Sequence, residues 1–241
     1  MPKEKIVATG RAWPSANVLL TIGVVVVAIV VLGGVLLTGK DDPLASSTVP
    51  SDVLVNENSH RLTDAGDDAV TVVEFLDFQC PACAGYYANV TKEVERDYGD
   101  RITFVVRNFP LDSHPLAMLA AKAAEAADRQ GEYEAMYHSL YDNYERWALT
   151  DGDISDDTAR ARAAFDTFAK EIGLDLKRFH ADMASDAVAD RIAADRADGE
   201  RAEVTGTPAL FINGHLFSPS GDTFGEVERQ FRNQLDAELA K

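Results

Sequence analysis

The sequence predicts an α/β domain with a helical insertion, preceded by a single N-terminal transmembrane helix. Three observations lead there. Apolar, β-branched runs at residues 69–78, 102–107 and 207–213 have the length and composition of buried strands. A long stretch with helical periodicity separates the second run from the third. Ahead of all of these, residues 18–37 read VLLTIGVVVVAIVVLGGVLL, twenty residues without a charge.

That first segment has the length of a membrane span. At about 1.5 Å per residue, twenty helical residues cross a hydrocarbon core of about 30 Å. Lys3, Lys5 and Arg11 precede it against the single acid Glu4, while Lys40, Asp41 and Asp42 follow it. The excess of positive charge predicts a cytoplasmic tail over residues 1–17 and an extracytoplasmic location for the chain beyond. A cleaved signal peptide would have a shorter apolar region and a small-residue cleavage site. Here the run is longer and no clean site follows, so an uncleaved anchor is expected. Residues 38–64 are expected to form an extracytoplasmic linker, because most of that stretch is rich in Ser, Thr, Asp, Asn and Pro and shows no sustained period.

The outer domain is expected over residues 65–241. Residues 69–78, AVTVVEFLDF, form its first strand, and Cys80 and Pro81 follow at once. Pro81 suits the first position of a helix, where its missing N–H would be unpaired anyway. That helix is expected to run to about residue 98 and stop near Gly99. Residues 102–107, ITFVVR, form a second strand. Helical patterns follow at 115–144, 155–172 and 174–203, giving an insertion at about 113–203. Residues 207–213, TPALFIN, form a third strand with a turn at Gly214, and a short fourth strand is expected at 215–219. An amphipathic helix over 223–239 closes the pattern. Neither half has a complete sheet alone, so one interrupted domain is expected rather than two.

Composition narrows the function. Of 241 residues, 46% are hydrophobic and 26% charged, as in globular chains. The net charge of −17 argues against nucleic acid as a partner, because phosphate binding needs clustered Lys and Arg. Only two cysteines are present, Cys80 and Cys83, and both lie in one C-x-x-C. A scaffold stapled by several disulfides is thereby excluded.

A C-x-x-C by itself fits half a zinc site, a copper-handling pair or a redox pair. A structural zinc site needs four ligands. No second C-x-x-C exists, and the five histidines form no H-x₃₋₅-H pattern. The redox reading explains the local arrangement better. Cys80 falls between strand and helix, where the helix dipole and free N–H groups favour a thiolate. Cys83 stands one helical turn on, placed to close a disulfide with Cys80 or to resolve a mixed one. By strand alternation Glu74 shares a face with Val70, Val72, Leu76 and Phe78. It is therefore expected to be buried, with a raised pKa and the capacity to exchange a proton with a thiol. Thr207-Pro208 suits either an ordinary turn before a strand or a cis X-Pro turn.

The residues around the cysteines resemble the thioredoxin superfamily, and most closely its DsbA-like branch of thiol–disulfide oxidoreductases. The resemblance rests on FLDFQCPAC at 75–83, RNFPL at 107–111, QGEY at 130–133 and TGTPALFING at 205–214, and extends over about residues 65–238. It implies a thioredoxin fold with a helical insertion. It also implies that Thr207 and Pro208 face the cysteines with Pro208 in cis, and that Glu74 lies beneath the second cysteine. The catalytic residues would be Cys80 and Cys83, supported by Glu74, Pro81, Thr207 and Pro208, with no metal and no cofactor. Expected partners are secreted or cell-surface proteins with Cys, and a membrane or extracytoplasmic redox partner. The expected activity is disulfide formation. The alternatives are reduction or isomerisation, and, further off, a Cys-based metal chaperone. Ala82 departs from the His that strong oxidases of the branch often carry between their cysteines. Thr207 is shared with relatives that reduce or isomerise. His114 and Pro115 are expected to shape the entry to the insertion, Trp147 to be packed, and Tyr86 and Tyr87 to line a groove or the core.

Overall fold

The structure, a computed structural model, describes residues 48–66 and 69–241. The expected tail, the expected membrane segment at 18–37 and the linker up to residue 47 lie outside the described residues. Among the described residues no helix is long and apolar enough to cross a membrane.

The central sheet is built from β1 (His60–Thr63), β2 (Val70–Leu76), β3 (Ile102–Asn108), β6 (Ala209–Ile212) and β7 (His215–Leu216), in the order β1-β3-β2-β6-β7. β2 and β3 are parallel, and the other pairs are antiparallel. Every residue of β3 is buried, and in β2 only Thr71 is not. A strand covered on both faces needs such a continuous apolar run. Asn213 and Gly214 take the left-handed conformation, φ 48° and 83°, and make the two-residue turn between β6 and β7.

Between β2 and β3 the chain forms α2 (Pro81–Tyr86), a π turn (Tyr87–Thr91) and α3 (Lys92–Tyr98). The single helix expected there is thus interrupted by one wider turn, a feature that periodicity does not disclose. The insertion holds α4 (Ala117–Asp128), α5 (Tyr133–Asp142), α6 (Tyr144–Ala148), the small hairpin β4 (Leu149–Thr150) and β5 (Asp153–Ile154), α7 (Thr158–Glu171), α8 (Leu176–Met183) and α9 (Asp186–Arg201). The hairpin escaped the sequence reading because two-residue strands carry no period. The 174–203 helix is divided at Ser185, whose hydroxyl accepts from the Val188 N–H and starts a new helix. α10 (Phe224–Leu239) begins at a Thr223 cap and packs beside the π turn.

The linker expected at 38–64 needs correction from Thr48 onward. Residues Ser51–Leu54 form α1, and Val53 and Leu54 are buried with Val73, Phe75 and Phe109. The Val49 N–H donates to the Gly214 carbonyl at 2.9 Å, and β1 pairs with β3. These segments are too short to show a period, and β1 is held through backbone atoms that a residue pattern does not report.

A buried charge cluster ties this arm and the insertion to β3. The fully buried Arg107 guanidinium donates to Asp195 at 2.5 Å and Asp198 at 2.6 Å, and also to the Leu54 carbonyl at 2.6 Å. Gly199 lets α9 come this close, since a Cβ there would stand 2.6 Å from the Phe109 ring.

Candidate active site

Cys80 caps α2 with an extended backbone, φ −67° and ψ 122°, and Pro81 opens the helix. Its N–H donates to the Asp77 carbonyl at 3.0 Å, and its carbonyl accepts from the Ala84 N–H at 3.0 Å. Cys83, one turn on, is completely buried, and the two cysteines are free thiols. The sequence thus places the pair where it was expected, at the junction of β2 and the helix.

The Thr207-Pro208 bond is cis, and its loop faces the pair. Cys80 Sγ lies 3.3 Å from the Thr207 carbonyl oxygen. Thr207 Oγ1 is buried and has no hydrogen-bond partner among the described residues, so its hydroxyl is free to turn toward the sulfur.

The two sulfurs are electrostatically unlike. The Cys80 thiol is pulled down to about 6, first by a hydrogen bond from the Cys83 thiol. Partial burial opposes the shift, while the N–H groups of Cys83 and Ala82 and the Thr207 side chain add to it. Cys83 is pushed well up, first by burial and then by Cys80 and the charge of Glu74. The shifts favour the thiolate on Cys80 and the protonated thiol on Cys83.

Glu74 is buried as alternation predicts, 2% exposed, on the face of β2 that turns toward the cysteines. Burial pushes its carboxyl up to about 8; a hydrogen bond from Thr91 at 3.5 Å works against this, and the Cys80 charge adds to it. Its charge in turn helps to raise Cys83.

Two supporting residues were not assigned from the sequence. Asp77 is buried, and its carboxylate accepts from the N–H groups of Gln79 at 2.7 Å and Leu111 at 3.0 Å and pairs with His114 Nδ1 at 2.6 Å. Burial still pushes its pKa up. Gln79 donates to the carbonyls of Ser155 at 2.7 Å and Ala148 at 3.2 Å and accepts from the Leu116 N–H at 2.6 Å. Tyr144 closes the set by donating to the Gln79 carbonyl at 2.7 Å. Together they bolt the turn before Cys80 to the insertion. Their one signal in sequence is that they are polar residues set in the apolar run FLDFQC. His114 thus does help shape the entry to the insertion, by its pairing with Asp77. Trp147 is packed as expected, with its ring N–H on the Leu140 carbonyl at 2.8 Å. Tyr87 is buried against Tyr141, whereas Tyr86 is half-buried against the exposed Phe224.

Two clusters among the described residues bring three metal-type donors together, His60 with Glu125 and Asp128, and Glu95 with Glu134 and His138. Neither contains a cysteine. The first is already satisfied internally, because both ring nitrogens of His60 meet carboxylates, at 2.8 and 3.3 Å, and its pKa rises to about 9 despite burial.

Comparison with known proteins gives the same picture of the domain. A family model described as Thioredoxin matches residues 65–229. Two Na(+)/H(+) antiporters are similar in sequence. NhaA 1 of Mycolicibacterium vanbaalenii is 36% identical over 151 residues, 61% of this chain and 22% of that protein. NhaA 3 of Salinispora tropica is 36% identical over 179 residues, 74% of this chain and 24% of that protein. The chain spans less than a quarter of the length of these relatives. Among solved structures, a thioredoxin-like oxidoreductase from Silicibacter pomeroyi superposes with a TM-score of 0.61 at 26% identity, over 80% of this chain and 99% of that one. BdbD from Bacillus subtilis, at 18% identity, covers 81% of this chain and 98% of its own with a TM-score of 0.62. The thiol-disulfide exchange protein alpha-DsbA2 from Wolbachia pipientis, at 22% identity, covers 78% and 91% with a TM-score of 0.60. These last two likenesses are of fold.

Proposed function

This chain belongs to the thioredoxin family, and from that premise we propose that it is a thiol–disulfide oxidoreductase that forms disulfides in proteins outside a cell membrane to which residues 18–37 anchor it. One observation carries the direction of electron flow. The Cys80 thiol sits at about 6, so the reduced pair is stabilised as a thiolate. Stabilising the reduced form makes the disulfide the better oxidant.

The steps follow from the two sulfurs. With the Cys80–Cys83 disulfide formed, a substrate thiolate attacks Cys80 Sγ. The bond between the cysteines breaks, a mixed disulfide forms on Cys80, and Cys83 leaves with the electron pair and takes a proton from Glu74. A second substrate thiolate then attacks the substrate sulfur of the mixed disulfide and releases Cys80 as thiolate. The substrate has lost two electrons and the pair has gained them. A disulfide-bearing redox partner at the membrane accepts them to restore the cycle. The Thr207 backbone, at the rim of the pair, offers an edge to an extended substrate segment, and Pro208 keeps its own backbone from donating there.

The extracytoplasmic side is where such chemistry persists. The uncharged run at 18–37 and its flanking charges support that placement. A reductase or isomerase is the second reading. It is favoured by Ala82, which contributes no charge to the thiolate, and by Thr207, which resembles reducing and isomerising relatives.

The reduction potential of the full-length protein, by equilibration with glutathione, separates the two. A value of about −120 to −180 mV marks the oxidase, and about −270 mV the reductase. Absence of any reversible couple between Cys80 and Cys83 would sink both.

A further inference from the structure

The second donor cluster, Glu95 with Glu134 and His138, is built differently from the first. Glu95 stands on α3, while Glu134 and His138 stand four residues apart on one face of α5. Both carboxylates turn to the same ring nitrogen. Glu95 Oε1 lies 3.2 Å from His138 Nε2, and Glu134 Oε1 lies 3.9 Å from it. The three donor atoms all fall within 4.8 Å of one another. In the first cluster the two carboxylates take opposite nitrogens of His60 and leave neither free.

The far side of the His138 ring is fixed by its neighbours. The Tyr87 hydroxyl donates its one proton to Asp142 Oδ1 at 2.8 Å, and the same oxygen accepts from Lys92 at 2.7 Å. The Tyr87 oxygen also lies 3.0 Å from His138 Nδ1. With its proton on Asp142, that oxygen can only accept from the ring, so Nδ1 carries a proton. In the neutral imidazole the lone pair is then on Nε2, the nitrogen that faces both carboxylates. Ligating histidines are oriented in this way, through the nitrogen that does not bind the metal.

Negative charge is left over on the near side. Among the described residues neither Glu95 nor Glu134 pairs with Lys or Arg: Lys92 goes to Asp142, and Arg96 to Glu93 and Asp97. Glu95 Oε2 is buried and has no hydrogen-bond partner among the described residues. A plain ion pair with a protonated His138 engages Oε1 and leaves Oε2 orphaned, whereas buried polar atoms are nearly always partnered. A cation held between Glu95 and the ring accounts for that oxygen.

We propose that Glu95, Glu134 and His138 form a binding site for one Zn²⁺ ion, apart from the cysteines and independent of their chemistry. One imidazole and two carboxylates suit zinc better than the all-oxygen cations Ca²⁺ and Mg²⁺. At Zn–N and Zn–O distances of about 2.0–2.2 Å, tetrahedral ligands stand about 3.3–3.6 Å apart. The Glu95–His138 spacing of 3.2 Å is close to that already. Glu134, with its side chain 59% exposed, has room to move in from 3.9 Å. Three protein ligands leave the fourth position to water on the solvent side. The ion ties α3, which continues the rod begun at Pro81, to α5 of the insertion.

The test is calorimetric titration of Zn²⁺ into the full-length protein with its Cys80–Cys83 pair oxidised, and into the Cys80→Ser/Cys83→Ser variant. Neither form offers a thiolate ligand. One Zn²⁺ per chain is expected to bind in both. Co²⁺ in its place should give the visible absorption of a tetrahedral site without thiolate charge transfer. His138→Ala is expected to abolish binding. Tyr87→Phe, which releases the far ring nitrogen, is expected to weaken it about 10–100-fold. Should Tyr87→Phe weaken the core, Glu134→Gln at the exposed position makes the comparison, with a loss of at least about tenfold. Zn²⁺ should raise the melting temperature of wild type and not of His138→Ala. If neither thiolate-free form binds Zn²⁺ or Co²⁺, the cluster is a plain ion pair and the proposal falls. If binding is unchanged in His138→Ala and Glu134→Gln, the ion sits elsewhere and the proposal falls as well.

Discussion

The Cys80 sulfur lies 3.3 Å from the carbonyl oxygen of Thr207, a residue 127 positions away in the chain. The contact brings the nucleophile of one motif to the loop of another. It also brings to the Cys80 sulfur the Thr207 side chain, which helps to hold the thiol pKa down. Thr207→Val removes that donor and keeps the shape. A hydrogen bond to a charged group is worth about 1.5–3 kcal/mol, so the Cys80 pKa is expected to rise by roughly one to two units. The reduced form loses the same stabilisation, so the reduction potential should fall. Thiolate absorbance against pH and glutathione equilibration read the two effects.

Alkylation of the reduced protein should follow one sulfur. Cys80 is expected to react with a midpoint near its thiol pKa of about 6, while Cys83, buried and pushed up, stays unmodified across the neutral range. Mass spectrometry after brief exposure to iodoacetamide locates the label. Label on Cys83 at neutral pH would reverse the assignment of attacking and resolving sulfurs.

Glu74 links stability to pH. Its carboxyl titrates near 4.5 unfolded and near about 8 folded, so between these values the folded chain binds more protons. The stabilisation it contributes is complete below 4.5 and is lost as pH rises through about 8. Glu74→Gln does not titrate. The variant is therefore expected to gain stability relative to wild type as pH rises through that window, measured by denaturant unfolding of the reduced protein at both ends.

Asp195→Ala leaves the Arg107 guanidinium buried beside only Asp198 and backbone carbonyls. Removing one partner of a buried ion pair typically costs about 3–5 kcal/mol. A loss of that size in urea unfolding is expected, with the cysteine chemistry of the remaining folded protein unchanged.

The arm from Thr48 to Thr63 is part of the fold. A fragment that begins at Thr48 is expected to melt as one unit. A fragment that begins at Ala65 lacks β1 and the buried Val53 and Leu54, and should unfold at lower temperature. Equal melting temperatures would restore the arm to a simple tether.

Residue types in order were enough to place β2, β3 and β6, the helical insertion and the Cys80–Cys83 pair, because strands buried on both faces and helix starts leave local marks. Alternation alone turned Glu74 inward. What sequence could not state was anything held by backbone pairing or by side chains distant in the chain. β1 belongs to the sheet through hydrogen bonds to β3, not through its own pattern. Asp77 and Gln79 are ordinary polar letters until Leu111, His114, Leu116 and Ser155 are brought to them. The contrast between the two thiols arises the same way. Cys80 and Cys83 are the same residue one turn apart, and only the fold buries one completely and gives the other N–H donors and the Thr207 side chain to hold its charge.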